Sequence, residues 1–68
     1  MRVQVDCRNG DDPRAFYLGT RRLHVVQVLE RIAEDSNRRF KVKVQDGRVF
    51  TLSKDTAKGE WRLTGVAS

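Results

Sequence analysis

Three basic residues alternate along one short stretch of the chain: Arg39, Lys41 and Lys43. On a β-strand their side chains would project from one face, with neighbours about 6.6 Å apart. That spacing is comparable with the distance between successive phosphates of an extended nucleic acid strand, so the row could follow a phosphate backbone. The same pattern is typical of a small sheet whose open face is kept soluble by lysine and arginine.

Other side chains could join such a row. Arg48 lies at a predicted hairpin tip, where a long side chain can swing to either face, and Arg62 faces outwards on a predicted last strand. Tyr17 is the one ring expected outside, because the other aromatic residues share the phase of neighbouring aliphatic residues and are needed as core. The residues predicted to contact a nucleic acid or a protein partner are Arg39, Lys41, Lys43, Arg48, Arg62 and Tyr17.

Residues for covalent or metal chemistry are scarce. The chain has one histidine, His24, and one cysteine, Cys7, which excludes a multi-histidine site and a cysteine-based metal cluster. A pair of Cys7 as nucleophile and His24 as base is not excluded by the sequence, but neither residue lies in a recognisable motif. We expect Cys7 to be a small buried group and His24 to lie at the surface. No enzyme activity and no cofactor are predicted.

A hairpin must position the basic row. Apolar and polar residues alternate on both sides of Asp46-Gly47, the strongest short-range hairpin signal. The two apolar faces match only if the loop has an odd number of residues, which predicts a loop at 45–47 with Gly47 at positive φ. Segments 39–44 and 48–53 should then pair antiparallel, with one face buried and the basic face in solvent.

The stretch 21–35 is ambiguous. Four apolar residues fit the spacing of an amphipathic helix: Val25, Val28, Leu29 and Ile32. The many β-branched residues instead favour a strand. We predict a long bent strand over 21–29 with a bulge near Val26, and a short helical turn over 30–35 as an alternative.

The remaining segments complete an all-β pattern. Alternating residues predict strands over 2–8, 14–18 and 60–67, and turn residues occupy 9–13, 19–20 and 55–59. Five or six short strands predict a small twisted antiparallel meander or open barrel. The 68 residues suit a single domain, 1–68. Without a predicted signal peptide or an apolar membrane span of roughly 20 residues, we expect a cytoplasmic protein with no membrane partner.

The net charge of +5 is unevenly distributed. Residues 1–18 contain three basic and three acidic residues, whereas residues 19–68 contain 11 basic and 6 acidic residues. A one-sided positive field favours a polyanionic partner. It is equally compatible with a face that only needs to remain soluble.

A set of short motifs runs through most of the chain in a fixed order. They are Pro13-x-x-Phe16-x-x-Gly19, Arg21-Arg22-x-x-Val25, Arg39-Phe40-x-Val42, Asp46-Gly47-Arg48-x-Phe50-x-Leu52, Asp55 and Glu60-Trp61-x-Leu63-x-Gly65. From about residue 13 to residue 66 the chain resembles a small bacterial domain of unknown function. That domain is similar to the C-terminal region of the catalytically inactive Y-family polymerase subunit of the bacterial mutasome. The resemblance implies a non-enzymatic accessory or adaptor domain, with a link to DNA-damage tolerance.

Two functions from different classes follow. The first is a protein-interaction module that offers a sheet face or an exposed strand edge to another protein. The alternative is sequence-tolerant binding of DNA or RNA through the basic sheet face.

Overall fold

The computed structural model describes residues 1–7 and 12–67, and these form six antiparallel strands. The strands are β1 (Arg2–Cys7), β2 (Pro13–Leu18), β3 (Arg21–Ala33), β4 (Asn37–Val44), β5 (Val49–Asp55) and β6 (Glu60–Ala67). Each strand pairs with its neighbours in sequence, and β1 also pairs with β6. The predicted all-β architecture is confirmed, and the barrel is closed rather than open. Most of the turn predicted over 9–13 lies outside the described residues.

The interior is filled by the inward face of every strand. Its buried apolar residues are Val3, Phe16, Leu23, Phe40, Val42, Val44, Phe50, Leu52 and Trp61. Phe16 meets Phe50 edge to face, with ring centroids 5.2 Å apart, and the ring centroids of Phe40 and Trp61 are 5.5 Å apart. The aromatic residues assigned to the core from their phase are therefore buried there.

The central hairpin has the predicted loop. The Gly47 amide donates to the Val44 carbonyl at 2.9 Å, and the Val44 amide donates to the Arg48 carbonyl at 3.0 Å. Gly47 has a φ of 90°, which glycine adopts without the steric cost of a Cβ atom. The register then pairs Phe40 with Leu52, so the apolar faces of β4 and β5 coincide.

Strand β3 departs furthest from its predicted bounds. Its pairing with β4 is irregular between Val25 and Gln27 and again between Val28 and Glu30, so Val26 and Leu29 are each inserted as an extra residue. The bulge predicted near Val26 is confirmed. The helical turn predicted over 30–35 is wrong, because the strand continues to Ala33. The two insertions make inward positions recur every third residue, which imitates helical spacing in the sequence.

Two smaller irregularities also change which residues are exposed. Cys7 is exposed, so its predicted burial is wrong; the pairing of β1 with β2 shifts between Asp6 and Cys7, which ends the regular alternation. The pairing of β5 with β6 shifts register between Thr51 and Leu52. As a result, Gly65 of β6 pairs with Thr51 on the outer face of the sheet. The described residues contain no helix long and apolar enough to cross a membrane.

Candidate binding surface on strands β3 to β6

The basic row lies on the outer face of the barrel, as predicted. Inward residues alternate with Arg39, Lys41 and Lys43 along β4, and all three cationic side chains are exposed. From Asn37 to Lys43 the strand pairs with β5 without a register shift. The row thus lies on a hairpin whose inward side chains are buried in the core.

Acidic residues approach this row from the β3 side. Nη2 of Arg39 lies 2.7 Å from Oε1 of Glu34. Lys41 pairs across the sheet with Glu30, and Lys43 with Gln27. Among the described residues, no carboxylate comes within ion-pair distance of Lys41 or Lys43. The two lysines are therefore not engaged in a close ion pair.

Arg62, one of the predicted contact residues, belongs to the same surface. Ser53 of β5 pairs with Arg39 on one side and with Arg62 on the other, and Arg62 in turn pairs with Arg2 of β1. Arg2 lies 3.6 Å from Glu60, whereas Arg62 has no ion pair within the described residues. Three arginines from three strands therefore share one transverse row.

An exposed apolar strip runs beside the basic row. It consists of Val26, Leu29 and Ile32 of β3, which are 58%, 43% and 40% exposed. Val26 and Leu29 are the two inserted residues, and Ile32 pairs directly with Arg39. The sequence contained this signal as an apolar residue at every third position, but a bulge-containing strand and a helix share that spacing.

Arg48 and Tyr17 lie apart from the row. Nε of Arg48 is 2.8 Å from Oδ2 of Asp46, and its guanidinium lies 5.4 Å from the centre of the Phe50 ring. The predicted freedom of Arg48 to reach either face is therefore not seen. Tyr17 of β2 is half-buried and pairs with Arg22 of β3. At Arg22, β3 does not yet pair with β4. Neither residue extends the basic surface.

The two residues considered for covalent chemistry are not cross-strand partners. Cys7 pairs with Pro13, whereas the exposed His24 pairs with Ala15. In residues 1–7 and 12–67, no group of three or more histidine, cysteine or acidic side chains could hold a metal ion.

Two carboxylates outside the basic row, Asp12 and Asp46, have pKa values lowered by a nearby arginine. Arg31 donates two hydrogen bonds to Asp12, at 2.9 and 2.7 Å, and these hold the pKa of Asp12 below its ordinary value. A hydrogen bond from the Arg48 backbone amide lowers the pKa of Asp46. Both carboxylates remain accessible to solvent. Asp12, before β2, binds Arg31 of β3, and Asp46, in the turn between β4 and β5, binds Arg48.

Comparison of the chain with protein-family models, curated proteins and solved structures found no match.

Proposed function

We propose that this protein is a non-enzymatic protein-interaction module whose partner docks on the apolar strip and the adjoining basic row. One observation carries the proposal. Of the large hydrophobic residues exposed in the described part of the chain, three of five lie on β3, at Val26, Leu29 and Ile32. Single exposed apolar residues are normal, but a row of them on one strand is typical of a docking surface.

The strip is not needed by the barrel itself. The interior positions of β3 are taken by Leu23, Val25 and Val28, which contact the core. The inserted residues Val26 and Leu29 face solvent, and polar side chains there would satisfy the fold equally well. Covering the strip would remove apolar surface from water, which stabilises a complex by about 25 cal/mol for each Å².

The charges define the chemistry of the partner. Lys41 and Lys43 border the strip along its length, so a matching surface carries apolar side chains flanked by carboxylates. Docking by side chains on this face is favoured over addition of a strand to the β3 edge. The reason is that the two bulges interrupt the regular backbone spacing that an added strand requires.

The resemblance to the small bacterial domain, which is similar to the C-terminal region of the mutasome polymerase subunit, supports an accessory role in DNA-damage tolerance. In that setting the domain would recruit or orient a second protein and would perform no chemistry of its own. The exposed strip supplies a contact surface of the kind that such a role needs.

Site-specific photo-crosslinking tests the proposal. A photoreactive residue at Leu29 should capture one defined protein, whereas the same residue at the exposed turn position Ala57 should not. Purified partner should then bind the wild type and lose affinity at least tenfold for Val26→Ser with Ile32→Ser. Equal capture from both positions, or unchanged affinity of that double variant, would contradict docking on the strip.

Binding of nucleic acid is a second candidate function. It is favoured by Lys41, Lys43 and Arg62, the cations on this surface that have no carboxylate within ion-pair distance in the described residues. Affinity for short single-stranded and duplex DNA over a salt series tests it. Phosphate neutralisation makes log K fall with log salt by about 0.7 to 0.9 for each contacted charge.

A further inference from the structure

A shallow trough runs along the outer face of β5, separated from the apolar strip by β4. Its floor is made by short, half-buried side chains, Thr51 and Ser53. The β4 side is lined by Arg39 and Lys41, which pair with Ser53 and Thr51 respectively. The β6 side is lined by Arg62, the other partner of Ser53. We call this surface, with Lys43 at its far end, the β5 trough.

The first position along the trough has an arginine on each side of a serine. Arg39 and Arg62 stand two strand spacings apart, roughly 10 Å between their backbones, with Ser53 midway. Long arginine side chains can close that distance over a single oxyanion, and the Ser53 hydroxyl can donate to it from below. Arg62 has no competing ion pair in the described residues, and the exposed pair of Arg39 with Glu34 is weak enough to exchange.

The second position is open on its β6 side because Gly65 has no side chain. A Cβ atom placed on Gly65 would lie 3.4 Å from the Thr51 hydroxyl oxygen. With glycine there, that hydroxyl is accessible beside Lys41. The two positions lie two residues apart along β5, about 6.6 Å, which matches a polymer of phosphates better than a single ion.

The surrounding acids limit where an anion can bind. Glu30 and Glu34 lie on the β3 side of the basic row. Asp55 and Glu60 pair with each other in the next outward row beyond Ser53. A polyanion would therefore lie over β5, and it would extend from Ser53 towards Lys43, away from the acidic end.

We infer that the β5 trough binds the phosphodiester backbone of single-stranded nucleic acid, with one phosphate between Arg39 and Arg62 and the next against Lys41 and Thr51. The inference rests on the second candidate function. The trough is wide enough for one backbone, and the rings that could stack on bases are in the core, apart from the distant Tyr17. Binding is consequently independent of base sequence.

Fluorescence anisotropy with a labelled 12-nucleotide oligothymidine, measured from about 20 to 200 mM salt, tests the inference. Two contacted phosphates predict a slope of about −1.4 in log K against log salt. Arg39→Gln with Arg62→Gln should remove one contact and reduce the slope by about 0.7. The charge-matched control is Arg14→Gln with Lys58→Gln, two exposed cations outside the trough, which should leave the slope unchanged.

A substitution that leaves the charge unchanged provides an independent test of the second position. Gly65→Ala should weaken binding at an unchanged slope, because the added methyl group narrows the trough at Thr51 without altering charge. Inorganic phosphate should displace the oligonucleotide no better than chloride at equal ionic strength. Unchanged affinity of Gly65→Ala would overturn the second position, and displacement by low-millimolar phosphate would assign the site to free phosphate instead.

The experiment distinguishes two ways in which the inference could be wrong: the protein could bind nucleic acid at another surface, or it could bind no nucleic acid. No binding by the wild type at about 20 mM salt would overturn the trough and the second candidate function together. Equal losses in the arginine variant and its charge-matched control would leave non-localised nucleic acid binding and overturn the trough. Tighter binding of a duplex than of the single strand would overturn the single-strand assignment.

Discussion

Arg39 and Arg62 lie on strands that do not pair with each other, yet both are direct cross-strand partners of Ser53. The two arginines therefore flank one serine from opposite sides, with the Arg39 guanidinium held by Glu34. Their mutual repulsion is modest, because a separation of roughly 10 Å between backbones is comparable with the screening length at physiological salt. An anion between them would add two favourable interactions, so polyanions that bind there should also stabilise the folded state.

The basic row should control any nucleic acid binding. We expect Lys41→Glu with Lys43→Glu to abolish DNA affinity while the barrel stays folded, since both side chains are exposed. A small loss of stability is expected because the carboxylate introduced by Lys41→Glu would face Glu30 across the sheet, and like charges in that position are mildly destabilising. Anisotropy and circular dichroism measure the two effects. Full DNA affinity in this variant would show that the row only keeps the face soluble.

Trp61 should be essential for stability. It is 7% exposed and packs against Phe40, so Trp61→Ala should cost roughly 3 to 5 kcal/mol, enough to unfold much of a domain this small. Val66 is 58% exposed, and Val66→Ala should stay within about 0.5 kcal/mol of wild type. Urea denaturation compares the two variants. Equal, small losses would mean that Trp61 contributes little to the core.

Gly47 should be sensitive to backbone strain alone. A Cβ atom at this position meets nothing within 4 Å, but φ is 90°. Gly47→Ala should therefore cost about 1 to 2 kcal/mol, whereas Gly47→Asn should cost less because asparagine tolerates positive φ better. Thermal or urea denaturation gives both values. Alanine and asparagine variants of equal stability would argue against strain as the cause.

The bond between Asp12 and Arg31 should make stability depend on pH. Because Arg31 lowers the folded-state pKa of Asp12, the stabilisation is fully present above the unfolded pKa of about 3.9 and is lost as the pH falls through the folded pKa. The stability difference between wild type and Asp12→Asn should thus be constant above about pH 5 and shrink below about pH 4. Arg31→Gln should remove the same dependence, and high salt should weaken it. A difference that stays constant down to about pH 2 would contradict the assignment.

Local patterns in the sequence were sufficient for the hairpin and its basic face. Alternation around Asp46-Gly47 determines the loop length, the positive φ of Gly47 and the outward direction of Lys41 and Lys43, because side chains alternate with a period of two. The burial of Trp61 followed from the same phase argument. Each of these features depends only on neighbours within one hairpin or one strand.

The bulge near Val26 was predicted, but the irregularities at Leu29 and opposite Thr51 were beyond the reach of that reasoning. An inserted residue changes the phase of everything after it, and its position depends on the partner strand rather than on the residue itself. For this reason the continuation of β3 to Ala33 was missed. The apolar spacing of β3 alone fits a helix as well as a strand with two bulges.

The sequence by itself determined the all-β class and the cations on the open face of β4. Only the tertiary structure placed Arg62 beside that face, through a partner that Arg62 and Arg39 share. Closure of the barrel and the register of β5 with β6 decide which rows align across strands. Those alignments arise from core packing between residues far apart in the chain, and local residue spacing carries no information about them.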